Sequence, residues 1–181
     1  MQPLDTIFVV AIVVFSAIIH EVMHGVAAEW LGDKTARWAG RLTLNPLPHL
    51  DPFGSVLLPI LLALTNSPIF LAWAKPVPYN PYNLRGRYDE ALVAFAGPGT
   101  NIFLALFFGL CIRFLGITMY PSLLVAFSTI VYINVLLALF NLIPIPPLDG
   151  SKILSTLLPG SLGRTYDQVW ASFERLGVLQ G

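Results

Sequence analysis

Charge is what this 181-residue sequence has least of. Asp, Glu, Lys and Arg make up 11% of it, against about 25% in an ordinary soluble domain. Ten acidic residues cancel ten basic ones, and a scatter of basic residues with no net charge gives nucleic-acid binding no support. Cysteine is nearly absent as well. Cys111 stands alone, so no intramolecular disulfide can form, and its place within an apolar run reads as packing. No Lys or Arg precedes the first apolar run, so that run does not read as a cleavable secretory signal. Internal repeats, linkers and low-complexity tracts are missing too, and the length is that of one domain. What remains is apolar: 56% of residues are hydrophobic and the mean hydropathy is +0.73. So much apolar surface must face lipid as well as a core.

Histidine is scarce, with three in the chain, yet two of them stand four residues apart in His20-Glu21-Val22-Met23-His24. On a helix that spacing puts both imidazoles on one face, one turn apart, within reach of one metal ion. Glu21 then sits beside the ion, placed to take a proton from a metal-bound water, as in the HExxH pattern of zinc metalloproteases. A pair of helix-end histidines touching lipid headgroups is the bland alternative. It leaves the expense of placing His, Glu and His in a membrane helix without a reason.

The motif lies in the last third of an apolar stretch from Leu4 to about Ala28, long enough to cross a hydrocarbon core of roughly 30 Å. A polar loop from Glu29 to Pro52 follows, within which Arg37–Leu44 alternates loosely and predicts one or two short strands. Phe53–Ala74 is apolar but broken by Pro59, Thr65-Asn66-Ser67 and Pro68, which argues against one straight helix. After a second polar loop, Lys75–Arg87, a long helix is expected from Asp89 to about Leu115, interrupted at Ala96-Gly97-Pro98-Gly99. A last span runs from Ser122 to about Leu142. Beyond Gly150 a short helix reaches Leu158. Tyr166, Val169, Trp170, Phe173 and Leu176 then form one apolar stripe, expected to lie along the membrane surface.

Nine of the ten Lys and Arg fall in the two polar loops and the C-terminal tail, Arg113 being the exception. The positive-inside rule puts those stretches in the cytoplasm and the N-terminus outside. Trp30, Trp38, Trp73 and Trp170 all lie in or beside them, as an interfacial belt requires. With both flanks cytoplasmic, Phe53–Ala74 must enter and leave on one side, as a re-entrant hairpin turning near Thr65–Pro68. The fold expected is therefore an all-α polytopic membrane protein with three transmembrane helices, a re-entrant hairpin, a short β element and a C-terminal interfacial helix. Residues 1–160 form the membrane-embedded core and 161–181 the amphipathic tail.

A catalytic zinc site has three protein ligands and an open position. Asp149 is the best third candidate, because it follows a span directly and the prolines before it stop the helix. With the hairpin not crossing, the first and last spans end on the same side, and His20, His24 and Asp149 can meet. His49 is a lesser candidate for a fourth ligand. Asn134 and Asn141, seven residues apart on one helix face, can serve as interhelical hydrogen-bonding groups.

Three motifs in order, His20-Glu21-x-x-His24, Gly97-Pro98-x-x-Asn101 and Asn141-x-x-Pro144-x-x-Pro147-Leu148-Asp149-Gly150, resemble those of the site-2 protease family of intramembrane zinc metalloproteases. The resemblance covers about Phe8 to Leu158 and is to a minimal form without a PDZ domain. It implies a three-helix catalytic core, one zinc ion held by His20, His24 and Asp149, and Glu21 as general base. It also implies substrate-backbone contacts from Asn141 and Asn101. Such proteases cut membrane segments of other proteins, so the expected partners are a single-span membrane protein substrate and the bilayer of the cell membrane, with the site toward the cytoplasm. A metal-ion transporter is the rival reading, but it has no use for Glu21 beside His20. A catalytically inactive metal-binding scaffold is the other, and it leaves a full set of ligands and base unexplained.

Overall fold

The computed structural model describes residues 3–51, 75–118 and 120–175. Three of its helices are long and apolar enough to cross a membrane: α1 (Pro3–Trp30), with its apolar stretch from Ile7, α3 (Asp89–Leu115) and α4 (Pro121–Asn141). Between the first two lies the short helix α2 (Thr35–Trp38), and after them come α5 (Asp149–Leu157) and α6 (Gly160–Arg175).

Local chemistry sets the ends of these helices. Gly32, at φ +116°, follows the last turn of α1, and Asp33 N–H closes back on Ala28 O at 2.8 Å. This left-handed C-terminal turn is one that only glycine enters without strain. The Asp33 carboxylate is fully buried and accepts hydrogen bonds from Thr35, Asn80 N–H and Asn83 Nδ2, tying the end of α1 to the loop ahead of α3. Burial pushes its pKa up, but these bonds outweigh it and hold the carboxyl below its ordinary value. At the other end of the bundle α4 begins at Pro121, where a missing N–H costs nothing. It stops just before Pro144, Pro146 and Pro147, which cannot continue a helix.

No strand is present among the described residues, and the β element expected over Arg37–Leu44 is corrected accordingly. Asp33 Oδ1 accepts the Thr35 N–H and hydroxyl, which starts a helical turn that takes in Arg37 and Trp38. Gly40, at φ +66°, then ends it. A loose alternation with no partner strand loses to these local bonds. The re-entrant hairpin expected over Phe53–Ala74 lies outside the described residues. On either side of that segment, Lys75 N–H donates to His49 O at 2.9 Å.

Helix α3 packs between α1 and α4, and α5 packs back onto α3. Small side chains fill the contacts: Ala28, Ala94, Ala105 and Ala138 are buried, and Gly97 with them. Large apolar ones point outward, with Phe103, Leu106 and Leu139 more than half exposed. Inside a bilayer this is the favourable arrangement, because lipid is as apolar as leucine and close backbone approach rewards small residues. Ser16, Asn101 and Asn134 are buried among the three helices.

Candidate metal centre

His20 and His24 lie one turn apart on α1, and His20 is ten residues before its end, about 15 Å along the axis at 1.5 Å per residue. Asp149 opens α5, just past the proline break after α4. Although 129 residues separate His20 from Asp149 in sequence, His20 Nε2 is 3.1 Å from Asp149 Oδ2. The same oxygen is 3.2 Å from His24 Nε2, and the two Nε2 atoms are 3.1 Å apart. All three residues are buried or nearly so. Because the ends of α1 and α4 meet here with the N-terminal half of α3, α1 and α4 run in the same direction and α3 runs against them.

The donor set fits a metal ion. His24 Nδ1 is 2.7 Å from Val93 O, a pure acceptor, so Nδ1 carries the proton and Nε2 turns a lone pair to the centre. Around that point stand a second imidazole nitrogen and a carboxylate oxygen, in a near-equilateral triangle. Ligand atoms about 2.0–2.1 Å from a tetrahedral zinc stand roughly 3.3 Å from one another, close to the spacing found. Burial alone would raise the Asp149 carboxyl. A cation held at the centre would offset that cost and keep the carboxylate ionised.

Gly97 is what lets α3 approach this triangle. A Cβ built there would lie 2.5 Å from His24 Nε2 and 2.7 Å from His20 Nε2, inside the space the ligand atoms need. Glu21 stands beside the pair. Its carboxylate lies within 4.8 Å of both histidine ligand atoms, and its Oε2 accepts the Val77 N–H at 2.9 Å. The backbone two residues after Lys75 therefore fixes one oxygen of Glu21.

A cleft of about 1010 Å³ opens against His20 and Glu21, bounded by Asn141, Pro146, Tyr166 and Trp170 among others. Asn141 thus lies on the cleft, with its Nδ2 donating to Leu137 O. Asn101 does not line it. Fully buried, it sits with Oδ1 2.6 Å from His20 Nδ1 and Nδ2 donating to Asn134 Oδ1 at 2.7 Å. Both ends of its amide are taken up inside the bundle, where the resemblance implies a contact with substrate. Asn134 bonds to Asn101 and to Ser16, so it joins three helices and not Asn141. His49 stands outside the cluster, with its Nε2–H donating to Thr43 O at 2.9 Å. The backbone groups Val93 O and Val77 N–H were missed by sequence reasoning, and no side-chain pattern signals them. Gly97 four residues before Asn101 was visible as one helix face, but not as the face against the histidines.

Residues 115–177 match the model of peptidase family M50. YwhC of Bacillus subtilis, provisionally named a zinc metalloprotease, is 40% identical over 161 residues, which is 84% of this chain and 69% of that protein. Rip2 of Mycolicibacterium smegmatis, named in the same way, is 33% identical over 148 residues, 80% of this chain and 54% of that protein. Rip2 of Mycobacterium tuberculosis is 29% identical over 148 residues and is covered to 56%. The chain thus spans little more than half the length of the mycobacterial relatives. No solved structure matches it significantly. Apolar helices of membrane length and these likenesses together define a multi-pass membrane metalloprotease. The chain belongs to peptidase family M50, the site-2 protease family that its three motifs resemble.

Proposed function

We propose that this protein is an intramembrane zinc endopeptidase that hydrolyses peptide bonds within or beside the membrane segments of single-span proteins. The observation that carries the reading is the buried triangle of His20, His24 and Asp149 with Glu21 beside it, set well inside a membrane-length helix. His20, His24 and Asp149 hold the ion, one per chain. When bound, zinc supplies Lewis acidity to the scissile carbonyl and to water.

Glu21 is the general base. The Val77 N–H anchors one carboxylate oxygen and orients the other, which takes a proton and returns it to the leaving amine. Asn141, oriented by its Nδ2–H bond to Leu137 O, offers its carbonyl oxygen to a backbone N–H of the substrate. A substrate helix hides its own carbonyls and must unwind locally to enter the cleft. That cleft places water and polar groups beside the membrane core, and irregular backbone is tolerated there.

The direction of the helices supports the topology read from basic residues. Since α1 and α4 end at one site where α3 begins, the link from 31 to 88 starts and finishes on one face, which the positive-inside rule makes cytoplasmic. A re-entrant Phe53–Ala74 suits such a link. Residues 1–160 then form the core in the cell membrane, and 161–181 the interfacial tail. On α6, Leu162 and Val169 are exposed, as a helix resting on lipid needs, while Tyr166 and Trp170 turn to the cleft.

The experiment is a comparison of membrane proteins in cells carrying the native chain or Glu21→Gln. A single-span protein that accumulates uncut with Glu21→Gln, and is cut by the purified native chain with zinc in detergent, is the expected result. Identical membrane proteomes, with no cleavage in detergent, would overturn the reading.

A further inference from the structure

A chain of side-chain amides inside the bundle runs from a backbone carbonyl on α4 to the ring of His20. Asn134 Nδ2 lies 2.9 Å from Ile130 O and 3.0 Å from Ser16 Oγ. A carbonyl only accepts, so Asn134 must turn its NH₂ toward Ile130 and its Oδ1 the other way. That oxygen is 2.7 Å from Asn101 Nδ2, which in turn commits Asn101 to present Oδ1 to His20 Nδ1, 2.6 Å away. An acceptor at that distance requires a proton on Nδ1, and the lone pair then falls on Nε2. At each step the amide has one permitted orientation, and Ile130 O decides all of them.

We propose that Asn101 and Asn134 are positioning residues that lock His20 in the tautomer able to ligate zinc. The inference rests on the zinc-site reading above and deepens it. His24 has the simpler device, a direct bond from Nδ1 to Val93 O. With both rings so fixed, both Nε2 lone pairs and the Asp149 oxygen face one another at 3.1–3.2 Å, with no hydrogen between them. Three acceptors held so close repel, and a cation relieves the repulsion. Asn101 and Asn134 are each 0% exposed, so water cannot restore the proton position if an amide is lost. Partners of metal-bound histidines change metal affinity by about 10–100-fold when removed.

The test uses the full-length protein in detergent, with zinc affinity measured by chelator competition and ring protonation by ¹⁵N NMR of the metal-free protein at a pH where the imidazoles are neutral. Asn101→Leu, which keeps the volume and loses the acceptor, should weaken zinc binding about 10–100-fold. Asn101→Asp, which keeps the acceptor, should bind zinc within a few-fold of the native chain. Asn134→Leu frees Asn101 to turn over, so the His20 spectrum should show both tautomers where the native chain shows Nδ1–H alone. Should the leucine variants not fold, the native spectrum and Asn101→Asp still decide the matter. A proton on His20 Nε2 in the native protein, or unchanged zinc affinity in Asn101→Leu, overturns the proposal. If the native chain binds no zinc, the site reading fails instead, and the spectrum still reports whether the amides set the tautomer.

Discussion

His24 Nε2 lies 3.2 Å from Asp149 Oδ2, so the end of the first long helix and the proline break after the last one meet at a point. Helix α4 could not deliver Asp149 there if it continued past Asn141. The prolines at 144, 146 and 147 stop it, and α5 restarts at Asp149 itself. Asp149→Ala should therefore lower both zinc content and cleavage, with helical content largely kept. Elemental analysis and circular dichroism on one sample check this. Zinc affinity equal to the native value would mean that another group completes the site.

Glu21→Gln should keep near-stoichiometric zinc and lose cleavage by several orders of magnitude. The amide can still accept the Val77 N–H but cannot take a proton, and general-base catalysis alone is worth about 10²–10⁴-fold. Zinc loss in this variant, seen by elemental analysis, would make Glu21 a ligand and not the base.

How much of this was legible in the sequence depends on where each determinant lies. His20 and His24 share one helix, so their spacing alone fixed their geometry. Asp149 was readable because prolines announce a helix end whatever surrounds it. The motif resemblance gives Asn101 a contact with substrate. Its partner is a ring on another helix, and side-chain identity does not tell whether an amide faces a cleft or a neighbour. The alternation over Arg37–Leu44 reads as strand, while the deciding groups are the Asp33 carboxylate just before that stretch and Gly40 within it. Val93 O and Val77 N–H are backbone atoms, and every residue has them. Only the packed bundle makes them particular.

Gly97→Ala is expected to weaken zinc binding while leaving the helix intact. Alanine is the better helix former by about 1 kcal/mol. Its Cβ, however, would stand 2.5 Å from His24 Nε2 on a backbone that neighbouring helices hold in place, so the imidazoles must move. Chelator competition should show zinc binding weaker by on the order of tenfold or more. Native affinity in Gly97→Ala would mean that α3 can retreat, and that the close approach is incidental.

The Asp33 carboxyl lies below its ordinary pKa, so its contribution to stability is present above the unfolded value of about 3.9 and is lost as pH falls through the lowered folded value. Asp33→Asn should destabilise the protein by about 1–3 kcal/mol near neutral pH, because four donors lose a charged acceptor. The gap between variant and native Tm should narrow on acidification. A gap that holds constant down to the acid limit would separate Asp33 from the effect.

Topology is tested with single cysteines at Lys34→Cys and Arg87→Cys, both exposed positions, in a Cys111→Ser background. A membrane-impermeant thiol reagent should label neither in intact cells and both once the membrane is opened. Labelling of Arg87→Cys alone from outside would mean that the intervening segment crosses the bilayer.

The claim that most else depends on is the identity of the zinc ligands, and X-ray absorption at the zinc edge reads them directly. The expected spectrum of the zinc-loaded native protein has a nitrogen and oxygen shell at about 2.0–2.1 Å, the multiple scattering of two imidazoles, and no sulfur. A third imidazole, a single one, or a sulfur shell from Cys111 would contradict a site built from His20, His24 and Asp149.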